Sequence, residues 1–122
     1  MNMEIQKLTH FSKLTINEII KTKQYEKETR NNKEVLDTEK EILNENKINS
    51  ENLHKFEKKI EKAFLFRSGL GQNGNKKNKV IVYCVFENKL IFLRFVHHKE
   101  WEEFLNNHKK FEVLKKEILS YE

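Results

Sequence analysis

The sequence predicts an α+β fold: a helical N-terminal half, a small antiparallel β-sheet built on the hairpin 79–97, and a long amphipathic C-terminal helix. Three observations predict it. The run from Lys79 to Trp101, KVIVYCVFENKLIFLRFVHHKEW, is rich in β-branched and aromatic residues and is broken once, at Glu87-Asn88-Lys89. That pattern is two strands joined by a tight turn. Elsewhere the apolar residues recur at spacings of three and four, the period of a helix with one buried side. The chain also has no proline and only three glycines, Gly69, Gly71 and Gly74, so few breakers interrupt long helices. At 122 residues it is predicted to be a single domain, 1–122. Residues 1–48 form a helical part that either packs on the sheet or stands apart, and 49–122 form a compact α+β core.

Within residues 1–14, Ile5, Leu8, Phe11 and Leu14 recur at threes, which fits a short helix or a strand followed by a turn. Thr15-Ile16-Asn17-Glu18 has the spacing of a capping box and predicts a helix starting near Ile16. That helix ends near Arg30, with a loop at Asn31-Asn32. Val35, Leu36, Glu39, Ile42 and Leu43 predict a second helix. Ser50, followed by Glu51, starts a third, with Leu53, Phe56, Ile60 and Ala63 as its apolar stripe. Gly69 to Asn78 reads as a flexible loop. It lacks the Lys-Ser/Thr ending of a phosphate-binding P-loop, and its lysines, Lys76 and Lys77, are candidates for contacting nucleic acid or a protein partner. After the hairpin, Trp101, Phe104, Leu105, His108, Phe111, Leu114, Ile118 and Tyr121 predict the C-terminal helix, with Asn106-Asn107 as the place where it can kink.

With Asn88-Lys89 as the turn, counting outward sets the hairpin register: Glu87 opposite Leu90, Val85 opposite Phe92, Tyr83 opposite Arg94, Ile81 opposite Val96 and Lys79 opposite His98. Opposed residues share a face. One face is then Val80, Val82, Cys84, Phe86, Ile91, Leu93, Phe95 and His97, apolar except for the last. The other carries Lys79, Tyr83, Arg94 and His98 toward the open end of the hairpin. A slip of one residue would separate Tyr83 from Arg94.

The net charge is +5, with 35% charged residues and nine phenylalanines; the mean hydropathy is −0.83 and the pI about 9.2. Residues 1–62 carry 13 basic and 12 acidic side chains, residues 63–122 carry 11 and 7. The excess positive charge therefore falls on the half with the hairpin, which suits a phosphate-bearing partner. A single cysteine, Cys84, allows no internal disulfide and points to a reducing, cytoplasmic setting. No signal peptide or membrane-spanning run is predicted.

Metal and cofactor sites are not predicted. His97 and His98 are adjacent and no CxxC, HxxxH or HExxH spacing occurs; no GxSxG marks a serine nucleophile. What remains is the polar hairpin end: Lys79, Tyr83, Arg94 and His98, with Arg67 on the flanking segment and Trp101 just beyond. Metal-free RNA cleavage uses such a set. A base removes the 2′-hydroxyl proton, cations hold the charge that develops on the phosphate, and an acid protonates the leaving 5′-oxygen. Histidine can do either proton transfer, Arg and Lys clamp phosphate, and Tyr83 or Trp101 can stack on a base. The alternative is structural: Arg94 contacts Tyr83, and the histidines merely start the last helix.

From Ala63 to Phe104, AFLFRSG followed by KVIVYCVFENKLIFLRFVHHKEWEEF, the chain resembles the HigB branch of RelE-type toxins. His98, Glu100 and Trp101 match that branch's ending of histidine, acid and aromatic ring, with Trp in place of Tyr. The resemblance covers about a third of the chain. It implies a ribosome-dependent mRNA interferase neutralised by a protein antitoxin, with three antiparallel strands before the histidine. The first strand of that family is not visible here, and both ends of the chain are longer. A second expectation is non-enzymatic: a small phage or mobile-element protein that binds and blocks a host defence nuclease complex, as anti-CRISPR proteins do. A third is a plain basic nucleic-acid-binding module, recognised by a steep loss of affinity with salt.

Overall fold

A strand that the sequence hid opens the architecture. The structure, a computed structural model, describes residues 18–43, 55–70 and 76–122. Their elements run β1 (Glu18–Lys21), α1 (Lys23–Thr29), α2 (Lys33–Leu43), β2 (Lys55–Ile60), β3 (Ala63–Leu70), β4 (Lys76–Phe86), β5 (Lys89–His97), α3 (His98–Asn106) and α4 (His108–Leu119). The predicted helix from Ile16 is corrected: Glu18 to Lys21 is strand, and the rest of the Thr15 capping box lies outside the described residues, as do 1–14 and Ser50–Leu53. The helix begins instead at Thr22, whose hydroxyl accepts from Tyr25 N and donates to Leu93 O, both at 3.1 Å. It stops at Arg30, and Asn31 turns the chain at φ 57°, which Asn tolerates better than most residues. The predicted α2 is present, capped by Asn32 Oδ1 accepting from Val35 N at 3.1 Å.

The predicted helix through Phe56, Ile60 and Ala63 is overturned; these residues belong to the hairpin β2–β3. The spacing misled because two backbone events imitate a helical stripe. A bulge at Glu57 shifts the alternation, so Phe56 points to one face of the sheet and Ile60 to the other. The turn Glu61-Lys62, with Glu61 at φ 53°, then brings Ala63 back beside Ile60. The predicted single C-terminal helix is also corrected. At Asn107 the backbone leaves helical space (φ −107°, ψ 111°), and its side chain caps α4 by accepting from Lys110 N at 3.1 Å. Asn107→Ala should therefore cost about 1 kcal/mol, read as a lower midpoint in urea unfolding.

The five strands form one sheet in the order β1-β5-β4-β3-β2. β1 runs parallel to β5 while the other pairs are antiparallel, so the sheet is mixed rather than the predicted antiparallel one. α1 and α2 cover one face, where Tyr25, Val35 and Ile42 meet Phe66, Ile81, Tyr83, Val85, Leu90, Phe92 and Phe95. α3 and α4 cover the other, where Trp101, Leu114 and Ile118 meet Leu65, Val80, Val82, Cys84, Phe86, Ile91, Leu93 and Val96. The chain is thus α+β with three layers, and its first two helices contribute to the core.

The register of β4–β5 decides everything about the polar hairpin end. The turn is Glu87-Asn88, with Glu87 at φ 58°, so Phe86 pairs with Lys89 and Tyr83 with Phe92. This shift of two residues preserves the predicted faces near the turn. Between Val82 and Tyr83 a bulge then adds one residue to β5: Val82 pairs with Arg94, Ile81 with Phe95 and Lys79 with His97. Phe95 and Val96 exchange faces as a result. Side chains satisfy the backbone freed there. Leu93 O accepts from Thr22 Oγ1 (3.1 Å) and Arg94 Nη1 (2.6 Å), and Phe95 N donates to Glu28 Oε1 (2.8 Å).

Candidate nucleic-acid interface

The bulge disperses the predicted catalytic set. Tyr83, opposite Phe92 before the bulge, stays on the α1–α2 face, is 0% exposed, and stacks on Phe66 at 5.7 Å between ring centroids. Burial pushes its hydroxyl well above the ordinary phenol range. Arg94 emerges on the opposite face. There its guanidinium grips Glu117 of α4 with both terminal nitrogens (2.6 and 3.2 Å), 6.0 Å from the Phe104 ring, and the residue is 8% exposed. Tyr83 and Arg94 are therefore not neighbours, and neither is open to a polymer of RNA.

The other predicted contacts divide similarly. Trp101 is fully buried beneath α3, 6.1 Å from Phe104, and cannot stack on a base. Arg67 pairs with Glu57 across the β2–β3 hairpin and is half-buried. Lys76 and Lys77 begin β4 rather than lying in a loop, and continue it outward past Lys79. Lys79 lies over the Phe95 ring, its amine 4.9 Å from the centroid. His98 is the first residue of α3, half-exposed, with Nδ1 3.3 Å from Glu102 Oε1 one turn on. Of the catalytic set, Lys79 and His98 remain at the open end.

Elements that the sequence did not connect bring further charge to that end. Glu28, near the end of α1, reaches Phe95 N, two residues before the end of β5. Arg30 at the α1 C-cap and Lys33 at the start of α2 therefore sit at the same end of the sheet as Lys79 and His97. Lys99 follows in the first turn of α3. Among the described side chains there, Arg30, Lys33, Lys79 and Lys99 stand beside the carboxylates Glu28, Glu34, Glu100 and Glu102, so cations and anions are even in number. At the turn end Glu18, Glu61 and Glu87 stand beside Lys59, Lys62 and Lys89. Lys79 and Lys99 are the cations beside His98 that a phosphate would meet at the open end of the hairpin.

Sequence reading missed Arg30, Lys33, Lys99 and Glu102. Glu102 was within reach, since His98 and Glu102 are four apart at a helix start. Arg30 and Lys33 were not, because only the tertiary course of α1 carries them there. No cluster of three or more His, Cys, Asp or Glu suited to a metal ion occurs among the described residues, and none of their helices is long and apolar enough to cross a membrane. No family model, no curated protein and no solved structure matches the chain.

Proposed function

We propose that the protein is an intracellular, cytoplasmic RNA-cleaving protein of the RelE/HigB type, a toxin held in check by a protein antitoxin, and that it works at the open end of the β4–β5 hairpin. The observation that carries this reading is His98, half-exposed at that end, with the Glu102 carboxylate 3.3 Å from Nδ1. A carboxylate only accepts, so it favours the proton on Nδ1 and leaves Nε2 for a ligand. The presence of a strand, β1, ahead of the first two helices supports this reading.

In this reading His98 Nε2 exchanges a proton with the reacting nucleotide, while Lys79 and Lys99 offset the charge that develops on the phosphate. The 2′-oxygen bonds to phosphorus, the bond from phosphorus to the 5′-oxygen breaks, and the 5′-oxygen leaves protonated. The fragments end in a 2′,3′-cyclic phosphate and a 5′-hydroxyl. Arg94 and Tyr83 take no part. Incubation with translating ribosomes and with free RNA tests it. The protein should cut mRNA, and His98→Ala should lower the rate by about 100-fold or more; no cutting by the wild-type protein under either condition overturns the reading.

The burial of Tyr83 and Arg94 favours a second reading, in which the same end binds without cleaving. A phage or mobile-element inhibitor of a host nuclease complex would act this way. A pull-down that recovers one large nuclease complex, with equal affinity for the wild-type and His98→Ala proteins, would select it.

A further inference from the structure

We infer that His97 is a second proton-transfer residue of this site, working with His98; the inference rests on the cleavage proposed above. His97 is the last residue of β5, exposed and opposite Lys79. Its Nδ1 lies 3.0 Å from the backbone oxygen of Asn78. A carbonyl oxygen has no proton to give, so Nδ1 must carry one, and in the neutral ring Nε2 is the bare nitrogen. His98, the next residue, has its Nδ1 3.3 Å from the Glu102 carboxylate. Two consecutive imidazoles, on Cα atoms about 3.8 Å apart, thus stand at the open end of the hairpin, His97 held through Nδ1 by a backbone oxygen and His98 with Nδ1 beside a carboxylate.

The position adds a second argument. His97 is the N-cap of α3, yet its side chain makes no cap hydrogen bond. Ser, Thr, Asp or Asn there would stabilise the helix by about 1 kcal/mol. The imidazole is turned to β4 instead, so the residue serves the sheet end rather than the helix. Transesterification of RNA needs two proton transfers at two oxygens, and a single histidine supplies only one in each pass. With two, one neutral ring takes the 2′-hydroxyl proton as the 2′-oxygen bonds to phosphorus. The other, protonated on Nε2, gives that proton to the 5′-oxygen as its bond to phosphorus breaks. One proton moves from substrate to protein and one from protein to product, and exchange with water resets the rings.

The test uses the full chain and ribosomes programmed with a message, comparing wild type with His97→Ala, His97→Gln and His98→Ala. Each variant should cut 10²- to 10⁴-fold more slowly, and the two-limbed dependence of the wild-type rate on pH should keep one limb only. A message with sulfur in place of the 5′-oxygen at the cut site has a leaving group that needs no protonation. It should restore the rate of one histidine variant and not the other. Unchanged melting temperatures exclude misfolding. Cleavage by His97→Ala within a few-fold of wild type, or rescue by sulfur of both variants or of neither, overturns the role of His97 and leaves the broader reading standing. No cleavage by the wild-type protein overturns both.

Discussion

Between pH 8 and pH 11 the fold is expected to lose about 5 kcal/mol of stability, comparable with the whole margin of many domains of this size. Three buried acids cause it. Burial raises the Tyr83 hydroxyl and, with the charge of Glu117 behind it, the Cys84 thiol. Burial also raises the Tyr25 hydroxyl, helped by its 2.6 Å hydrogen bond to Glu39. Each group is held protonated in the folded chain. In the unfolded chain the thiol ionises near 9.0 and the phenols near 10.0. A raised acid contributes its full stabilisation below the unfolded value and loses it as the pH climbs above that value. At pH 11 the thiol accounts for roughly 3 kcal/mol and each phenol for roughly 1. Urea midpoints measured from pH 8 to 11 should fall slowly from pH 9 and steeply past 10. Cys84→Ala should remove the early part of the fall and keep the later part. A midpoint constant to pH 11 would show that these groups are not sealed from water.

How much of this was legible in the sequence depended on how far apart the deciding residues stand. The β4–β5 hairpin and the apolar face of Val80, Val82, Cys84, Phe86, Ile91 and Leu93 follow from alternation within one short run, and they are present. α2 shows a similar local periodicity. β1 was not legible, because Glu18-Ile19-Ile20-Lys21 is too short to display a period and becomes a strand only by pairing with β5, some 70 residues on. Phe56, Ile60 and Ala63 were misread because a bulge and a left-handed glutamate reproduce a helical interval. The site suffered from the same kind of event. One extra residue in β5 carried Arg94 to the opposite face from Tyr83, and nothing local to Leu93-Arg94 announces it. The bulge is held by Thr22 and Glu28, which belong to a different part of the chain. A polar cluster read from register is only as sound as the residue count between its members.

The second large effect concerns the residue that register displaced. Glu117→Gln should destabilise the fold by about 3 kcal/mol, and Arg94→Met by about as much, because each leaves a charge in the sheet–helix interface without its partner. The pair ties β5 to α4 through two nitrogens on two oxygens, and Arg94 also donates to Leu93 O at the bulge. Arg94→Met therefore strips one hydrogen bond from that carbonyl, while Thr22 Oγ1 still satisfies it. Removing both charges is a different matter. Apolar side chains of similar volume can replace a buried ion pair at little cost, so the double variant Arg94→Met, Glu117→Leu should recover most of what either single variant loses. Urea unfolding of the four proteins gives the coupling directly. The same four proteins separate structure from chemistry. If Arg94 only anchors α4, RNA cleavage or binding in the stable double variant should equal that of wild type. A double variant that is as stable as wild type but inactive would return Arg94 to the functional site, reached by an opening of the Glu117 contact.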